Sequence, residues 1–92
     1  MKLLRFVFLI LLFITATSML NQKATRVIFF GDSITQAGVK PGGFIALMGE
    51  ALKQKGLADQ YELIGAGIGG NKIYDLYLRM EDDVLAKHPD LV

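Results

Sequence analysis

The sequence predicts an α/β fold with a parallel sheet, and three stretches support this class. Residues 26–30 are an uninterrupted β-branched and aromatic run, residues 44–55 repeat apolar side chains at helical spacing, and residues 61–64 form a second short strand candidate. A strand without polar alternation is typical of a central parallel strand that is covered on both faces. A helix of this length between two strands favours a right-handed βαβ crossover.

The first 18 residues predict a secretory signal peptide. Lys2 and Arg5 form a short basic region, residues 6–14 are nine apolar residues in a row, and residues 15–18 are the small residues that signal peptidase requires. Such a run is shorter than the roughly 20 residues that span a bilayer, and an uncleaved N-terminal anchor is the alternative interpretation. We therefore expect a secreted or periplasmic protein that meets the membrane only through this segment.

The composition after the signal peptide narrows the classes of partner. Removing Lys2 and Arg5 from the ten basic residues leaves eight against nine acidic ones, so nothing predicts a nucleic-acid partner. The chain has no cysteine, which excludes a disulfide framework and a lipoprotein anchor. A mature chain of roughly 70 residues is small for an unsupported core, and we expect it to be part of a larger domain.

The first predicted strand follows a polar linker, residues 19–25, and ends at Gly31, Asp32 and Ser33. Gly31 permits a sharp exit that points Ser33 into solvent. Since ligands bind beyond the carboxyl ends of strands in open α/β sheets, we expect Ser33 to lie where a ligand would bind and chemistry would occur. A helix cap or a turn also explains a serine at this place.

A loop at residues 40–43 and an amphipathic helix at residues 44–55 are predicted next. The apolar residues of this helix are Phe44, Ile45, Leu47, Met48, Ala51 and Leu52. Their spacing leaves Glu50, Lys53 and Gln54 for solvent, and Gly56 is expected as the C′ residue that ends the helix.

A glycine-rich loop is predicted at residues 65–71, after the second strand. Gly65, Gly67 and Gly70 satisfy G-x-G-x-x-G between a strand and a helix, which is the context of a dinucleotide site. Asp90 lies about 20 residues further on, but it precedes the following strand, and the chain ends before the position of the ribose-binding acid. A P-loop would need lysine in place of Asn71. A flexible turn and a loop whose free amides bind an anion are the other interpretations.

A second helix is predicted for about residues 73–86, and residues 89–92 predict the start of a third strand. The expected inner face comprises Ile73, Leu76, Tyr77, Met80 and Val84. The residues expected mostly outside that face are Asp75, Arg79, Asp82 and Lys87. His88 is the only histidine and precedes a proline, so we interpret it as a helix C-terminal cap.

Two motifs resemble blocks of the GDSL or SGNH hydrolases, a family of serine esterases and lipases. Gly31-Asp32-Ser33-Ile34-Thr35, with Gly38 and Gly43-Phe44, resembles the first block, and Ile68-Gly69-Gly70-Asn71 resembles the second. The resemblance covers residues 28–91 and implies a flavodoxin-like, three-layer α/β/α fold with a parallel sheet, of which this chain supplies the N-terminal βαβαβ part. The Gly-x-Ser-x-Gly elbow of the α/β-hydrolases is absent from the sequence.

The resemblance also implies roles for individual residues. Ser33 would be the nucleophile, and the backbone amides of Ser33 and Gly70 would form the oxyanion hole, with Gly69 in place of Gly70 if the register slips by one. Gly65 stands where many members have asparagine. The implied reaction is hydrolysis of carboxylic esters, with a short acyl ester, a lysophospholipid or an acetylated carbohydrate as substrate, and it needs no cofactor or metal.

The remaining catalytic groups of the family have no match in this chain. The third block contributes an asparagine to the oxyanion hole and the fifth a D-x-x-H pair, so we expect both beyond Val92 and expect the chain to be inactive alone. The predicted domains are therefore residues 1–18 as signal peptide, 19–25 as linker and 26–92 as the N-terminal part of a truncated hydrolase domain. The alternative function is a non-catalytic nucleotide- or carbohydrate-binding module that uses the glycine loop at residues 65–70.

Overall fold

The chain alternates strands and helices after an N-terminal helix. A computed structural model describes residues 1–20 and 23–92, with side chains for residues 1–13 and 23–92. The helices and strands, in chain order, are α1 (Lys2–Leu20), β1 (Thr25–Gly31), α2 (Ser33–Gly38), α3 (Phe44–Gln54), β2 (Tyr61–Gly67) and α4 (Ile73–Asp83). Short 3₁₀ turns at Ala58–Gln60 and Leu85–Lys87 precede β2 and follow α4.

Helix α1 covers the segment predicted as a signal peptide and ends two residues later, at Leu20. Its described apolar side chains are largely exposed, as for Phe6 at 62% and Phe8 at 63%. Among the described residues, no helix has both the length and the apolar character needed to cross a bilayer. Residues 21 and 22 of the predicted linker lie outside the described residues, and Thr25 belongs to β1 rather than to the linker.

The two strands pair in parallel, which confirms the α/β class. The register runs from Thr25 opposite Tyr61 to Gly31 opposite Gly67. On the other edge of β1, Val27 forms a parallel bridge with Leu91, and the Ile28 N–H donates to the Leu91 carbonyl at 2.9 Å. The predicted third strand therefore starts where the sequence places it, and β1 is the central strand.

Helices lie on both faces of this sheet. Phe29 meets Phe44 of α3 edge to face at 5.8 Å, whereas the ring of Phe30 lies 4.6 Å from the guanidinium of Arg79 in α4. Successive residues of a strand point to opposite faces, so α3 and α4 lie on opposite sides of β1. The arrangement has the three-layer α/β/α order that the family resemblance implies.

Helix α3 begins and ends as its sequence predicts. Gly56 has φ +73°, and its N–H donates to Lys53 O at 3.1 Å. The Leu57 N–H donates to Leu52 O at 2.8 Å, and the two bonds together form a Schellman motif. Glycine is required at the C′ position because a left-handed backbone is strained for residues with a Cβ atom.

Helix α4 is shorter than predicted, and its buried face agrees only in part with the predicted one. Val84, just after the helix, is 2% exposed, as expected. Ile73 is 86% exposed and Tyr77 78% exposed, although both were expected inside. The side chain of Arg79, expected outside, is only 15% exposed. The side chain of Arg79 lies inward because its guanidinium bonds to backbone carbonyls at the ends of both strands, and apolar periodicity does not report such bonds.

Candidate active site

Ser33 is the first residue of α2 and is exposed directly beyond the carboxyl end of β1. Asp32 caps α2, since its carboxylate accepts a hydrogen bond from the Ile34 N–H at 3.1 Å. Its carboxylate therefore has a structural partner of its own beside the serine. The sequence interpretation did not predict α2, although an aspartate before a polar segment is a helix start signal.

Two glycines of β2 allow α2 to lie against the sheet. A Cβ atom on Gly67 would lie 2.6 Å from the carbonyl carbon of Thr35, and one on Gly65 would collide with the side chain of Val39. Residues 65–67 were predicted as a loop, but they pair with residues 29–31 and extend β2. Close packing therefore explains two of the three glycines in the G-x-G-x-x-G pattern, and the dinucleotide interpretation loses its main support.

A tight turn follows β2 and reaches the neighbourhood of Ser33. The Asn71 N–H donates to Ile68 O at 3.3 Å, and Gly70 between them has φ +82°, the value required at the third position of a type II turn. A Cβ atom on Gly69 would lie 3.8 Å from the Cβ of Ser33. The structure thus brings Ser33 and the predicted second block together at one edge of the sheet.

The hydrogen bonds of this turn distinguish Gly69 from Gly70. The Gly69 N–H donates to Oε1 of Gln36 at 2.9 Å, so this amide already has an acceptor. Within residues 23–92, no protein acceptor is found for the N–H groups of Ser33 and Gly70. Gly70 is therefore the better candidate of the two for donating a hydrogen bond to a bound oxygen.

Two side chains that the sequence interpretation left out contact this region. Gln36 joins α2 to the turn through Gly69, and Arg79 donates to Oδ1 of Asn71 at 2.6 Å. Neither had a sequence signal, because a glutamine on a short helix and an arginine on an amphipathic helix ordinarily face solvent.

His88 lies at the opposite end of the sheet from Ser33. It follows the 3₁₀ turn with φ 52° and donates its N–H to Leu85 O at 3.1 Å. Asp90, two residues after His88, accepts a hydrogen bond from the Arg26 N–H near the start of β1. The length of β1 separates that end from Ser33 by on the order of 20 Å, so His88 is a poor candidate for a base. Among the described residues, no group of three acidic or imidazole side chains is placed to hold a metal ion.

Comparison with known proteins identifies two similar solved structures. No protein-family model matches the chain, and no curated protein matches it. An acetyl xylan esterase is 79% identical, with a TM-score of 0.70, and the match covers 72% of this chain and 34% of that one. An α/β hydrolase enzyme from the metagenome of Lake Arreo, Spain, is 28% identical, with a TM-score of 0.63, over 76% of this chain and 38% of that one.

These matches bear on the fold and on the class of protein. The chain spans little more than a third of the length of either solved structure, 34% and 38%. Both similar proteins are described as hydrolytic enzymes, one as an esterase and one as an α/β hydrolase. In sequence and in structure, this α/β chain is therefore similar to part of an esterase and part of a hydrolase.

Proposed function

We propose that the protein containing this chain hydrolyses carboxylic esters with Ser33 as nucleophile, in the manner of the GDSL or SGNH hydrolases that its motifs resemble. The observation that carries the proposal is the position of Ser33 beyond the end of the central strand, beside a turn in which the Gly70 N–H has no acceptor within residues 23–92. The 79% identity to an acetyl xylan esterase supports the same reaction class.

The proposed chemistry uses this geometry in two ways. The Oγ of Ser33 attacks the acyl carbon while a base takes its proton, the alcohol leaves, and water then hydrolyses the acyl-serine. The N–H groups of Ser33 and Gly70 donate to the oxygen that becomes negative in the tetrahedral intermediate, and one such donor is worth on the order of 3 kcal/mol. The base, its orienting acid and the third oxyanion donor are proposed to come from residues beyond Val92.

Among the substrates that the motifs suggest, we favour an acetylated carbohydrate. This choice rests on the description of the 79% identical structure as an acetyl xylan esterase. Xylan is a polymer, so an enzyme that deacetylates it would have to reach it outside the cell. The substrate class and an exported location are therefore consistent with each other.

A fluorophosphonate probe tests the nucleophile directly. Such probes phosphonylate an activated serine, and we expect the adduct in the full-length protein to lie on the peptide that contains Ser33. Ser33 is the one serine in residues 19–92, so peptide mass spectrometry of the processed protein identifies an adduct there. Heat-denatured protein is the control and should not label, because activation requires the folded site. An adduct elsewhere, or equal labelling of native and denatured protein, would contradict the assignment.

Export is the second testable part of the proposal. The basic residues Lys2 and Arg5, the apolar run and the small residues up to Ser18 should direct secretion, with a new N-terminus near Met19. N-terminal mass spectrometry of the secreted or periplasmic fraction checks this. A variant with both Lys2→Glu and Arg5→Glu should be processed more slowly, because the basic region orients the segment. Intact Met1 in the cytosolic fraction would count against export.

A further inference from the structure

The partly buried guanidinium of Arg79 joins the two strands next to the candidate site. Its Nη2 donates to Gly31 O at 2.8 Å, and its Nη1 donates to Ala66 O at 2.9 Å. Gly31 ends β1 two residues before Ser33, and Ala66 is the penultimate residue of β2. One planar group therefore bridges the carboxyl ends of both strands, in addition to the ladder bond from the Ile68 N–H to Gly31 O at 3.2 Å.

The same guanidinium also holds the turn that carries Gly70. Its Nε donates to Oδ1 of Asn71 at 2.6 Å, and Asn71 directly follows Gly70. Nη1, which donates to Ala66 O, also pairs with Oδ2 of Asp83 at 2.9 Å. The centroid of the Phe30 ring lies 4.6 Å from the guanidinium carbon. These contacts, with 15% side-chain exposure, allow Arg79 little freedom to move.

The shape of arginine suits this arrangement. A guanidinium presents its N–H groups in a rigid planar fork, whereas a lysine ammonium is a single point on a flexible stem. Three nitrogen atoms of Arg79 reach four acceptors on β1, β2, the turn and α4. A lysine at this position would preserve the charge but could not hold all of these groups at fixed separations.

We propose that Arg79 is a positioning residue that sets the distance between the N–H groups of Ser33 and Gly70. This inference rests on the proposed ester hydrolysis, since those two amides are its oxyanion donors. Arg79 touches neither the substrate nor the reacting atoms; it acts through Gly31 and Asn71. Displacement of a catalytic group by about 1 Å costs on the order of 100-fold in rate, so a small loss of spacing has a measurable effect.

Arg26 provides a matched control at the opposite end of the sheet. It also joins β1 to β2, through an ion pair between its Nε and Oε2 of Glu62 at 2.9 Å, and its guanidinium donates to Lys87 O. Its side chain is 27% exposed, compared with 15% for Arg79. An arginine that only stabilises the sheet should therefore behave like Arg26.

The experiment compares Arg79→Lys, Asn71→Ala, Arg26→Lys and Ser33→Ala in the full-length protein. Active sites are titrated with a fluorophosphonate, and kcat per titrated site and KM are measured with p-nitrophenyl acetate. We expect Arg79→Lys to lower kcat per site by about 30- to 100-fold, with KM within about threefold of wild type, because oxyanion donors act in the transition state. Arg26→Lys should leave kcat per site within about twofold.

The outcomes separate this inference from the proposed function. A merely structural role for Arg79 would lower the number of titrated sites or the melting temperature and leave kcat per site unchanged, which would overturn the inference. Asn71→Ala removes only the hydrogen bond between Arg79 and the turn, so it provides the test if Arg79→Lys does not fold. An unchanged kcat per site in Asn71→Ala would also overturn the inference. Full turnover by Ser33→Ala would instead overturn the proposed function.

Discussion

Replacement of Ser33 by alanine should lower ester turnover of the full-length protein by roughly four to six orders of magnitude. Removal of the nucleophile of a serine hydrolase leaves only the contributions of substrate binding and of the oxyanion hole. Ser33 is exposed, and no hydrogen bond of its side chain is found within residues 23–92. The free energy of unfolding should therefore change by no more than about 0.5 kcal/mol.

The measurement combines kcat/KM on p-nitrophenyl acetate and acetylated xylan with a thermal melt of each variant. Thr25→Val is the control, because it removes a hydroxyl from the start of β1, the end of the strand that is remote from Ser33. Turnover of Thr25→Val should match wild type. Turnover of Ser33→Ala within tenfold of wild type, with an intact melt, would refute the nucleophile assignment.

Replacement of Gly67 by alanine should damage both stability and activity, although Gly67 makes no contact that the mechanism uses. The added Cβ would lie 2.6 Å from the carbonyl carbon of Thr35, inside helix α2. The backbone of α2 cannot change rotamer to make room, as a flexible side chain can, so the whole helix must move away from β2. Overpacking of this kind costs about 1–3 kcal/mol. Since α2 carries Ser33, a shift of about 1 Å should also lower kcat by on the order of 100-fold.

Gly49 is the matched control for this substitution. It lies within α3, and a Cβ atom there would meet nothing within 4 Å. Alanine at an unobstructed helical position should stabilise the protein by about 0.5–1 kcal/mol, because glycine is the poorer helix former. The two variants should thus shift the melting temperature in opposite directions. Equal melts and equal kcat for Gly67→Ala and wild type would contradict the packing of α2 on β2.

Local patterns were sufficient to predict the strands and helix α3. The apolar run at β1, the helical spacing after Phe44 and the C′ glycine at Gly56 each act over a few neighbouring residues, and each occurs as predicted. The start of the third strand at Leu91 was also predicted. The same local pattern predicted that Ser33 follows β1, because the glycine and the aspartate that come after the apolar run favour the end of a strand.

The extent of β2 and the orientation of α4 depended on contacts between residues far apart in the sequence. Gly65 and Gly67 were predicted as a loop, but they are strand residues because they pair with Phe29 and Gly31 of β1. The close approach of α2 explains why both are glycine. Arg79 was predicted to face solvent, yet it lies inward because the carbonyls of residues 31 and 66 accept its hydrogen bonds. The sequence by itself determined the order of β1, α3, β2 and α4 and the position of the serine after β1. Tertiary structure decided what surrounds that serine, since hydrogen bonds and steric limits between distant segments leave no periodic signal.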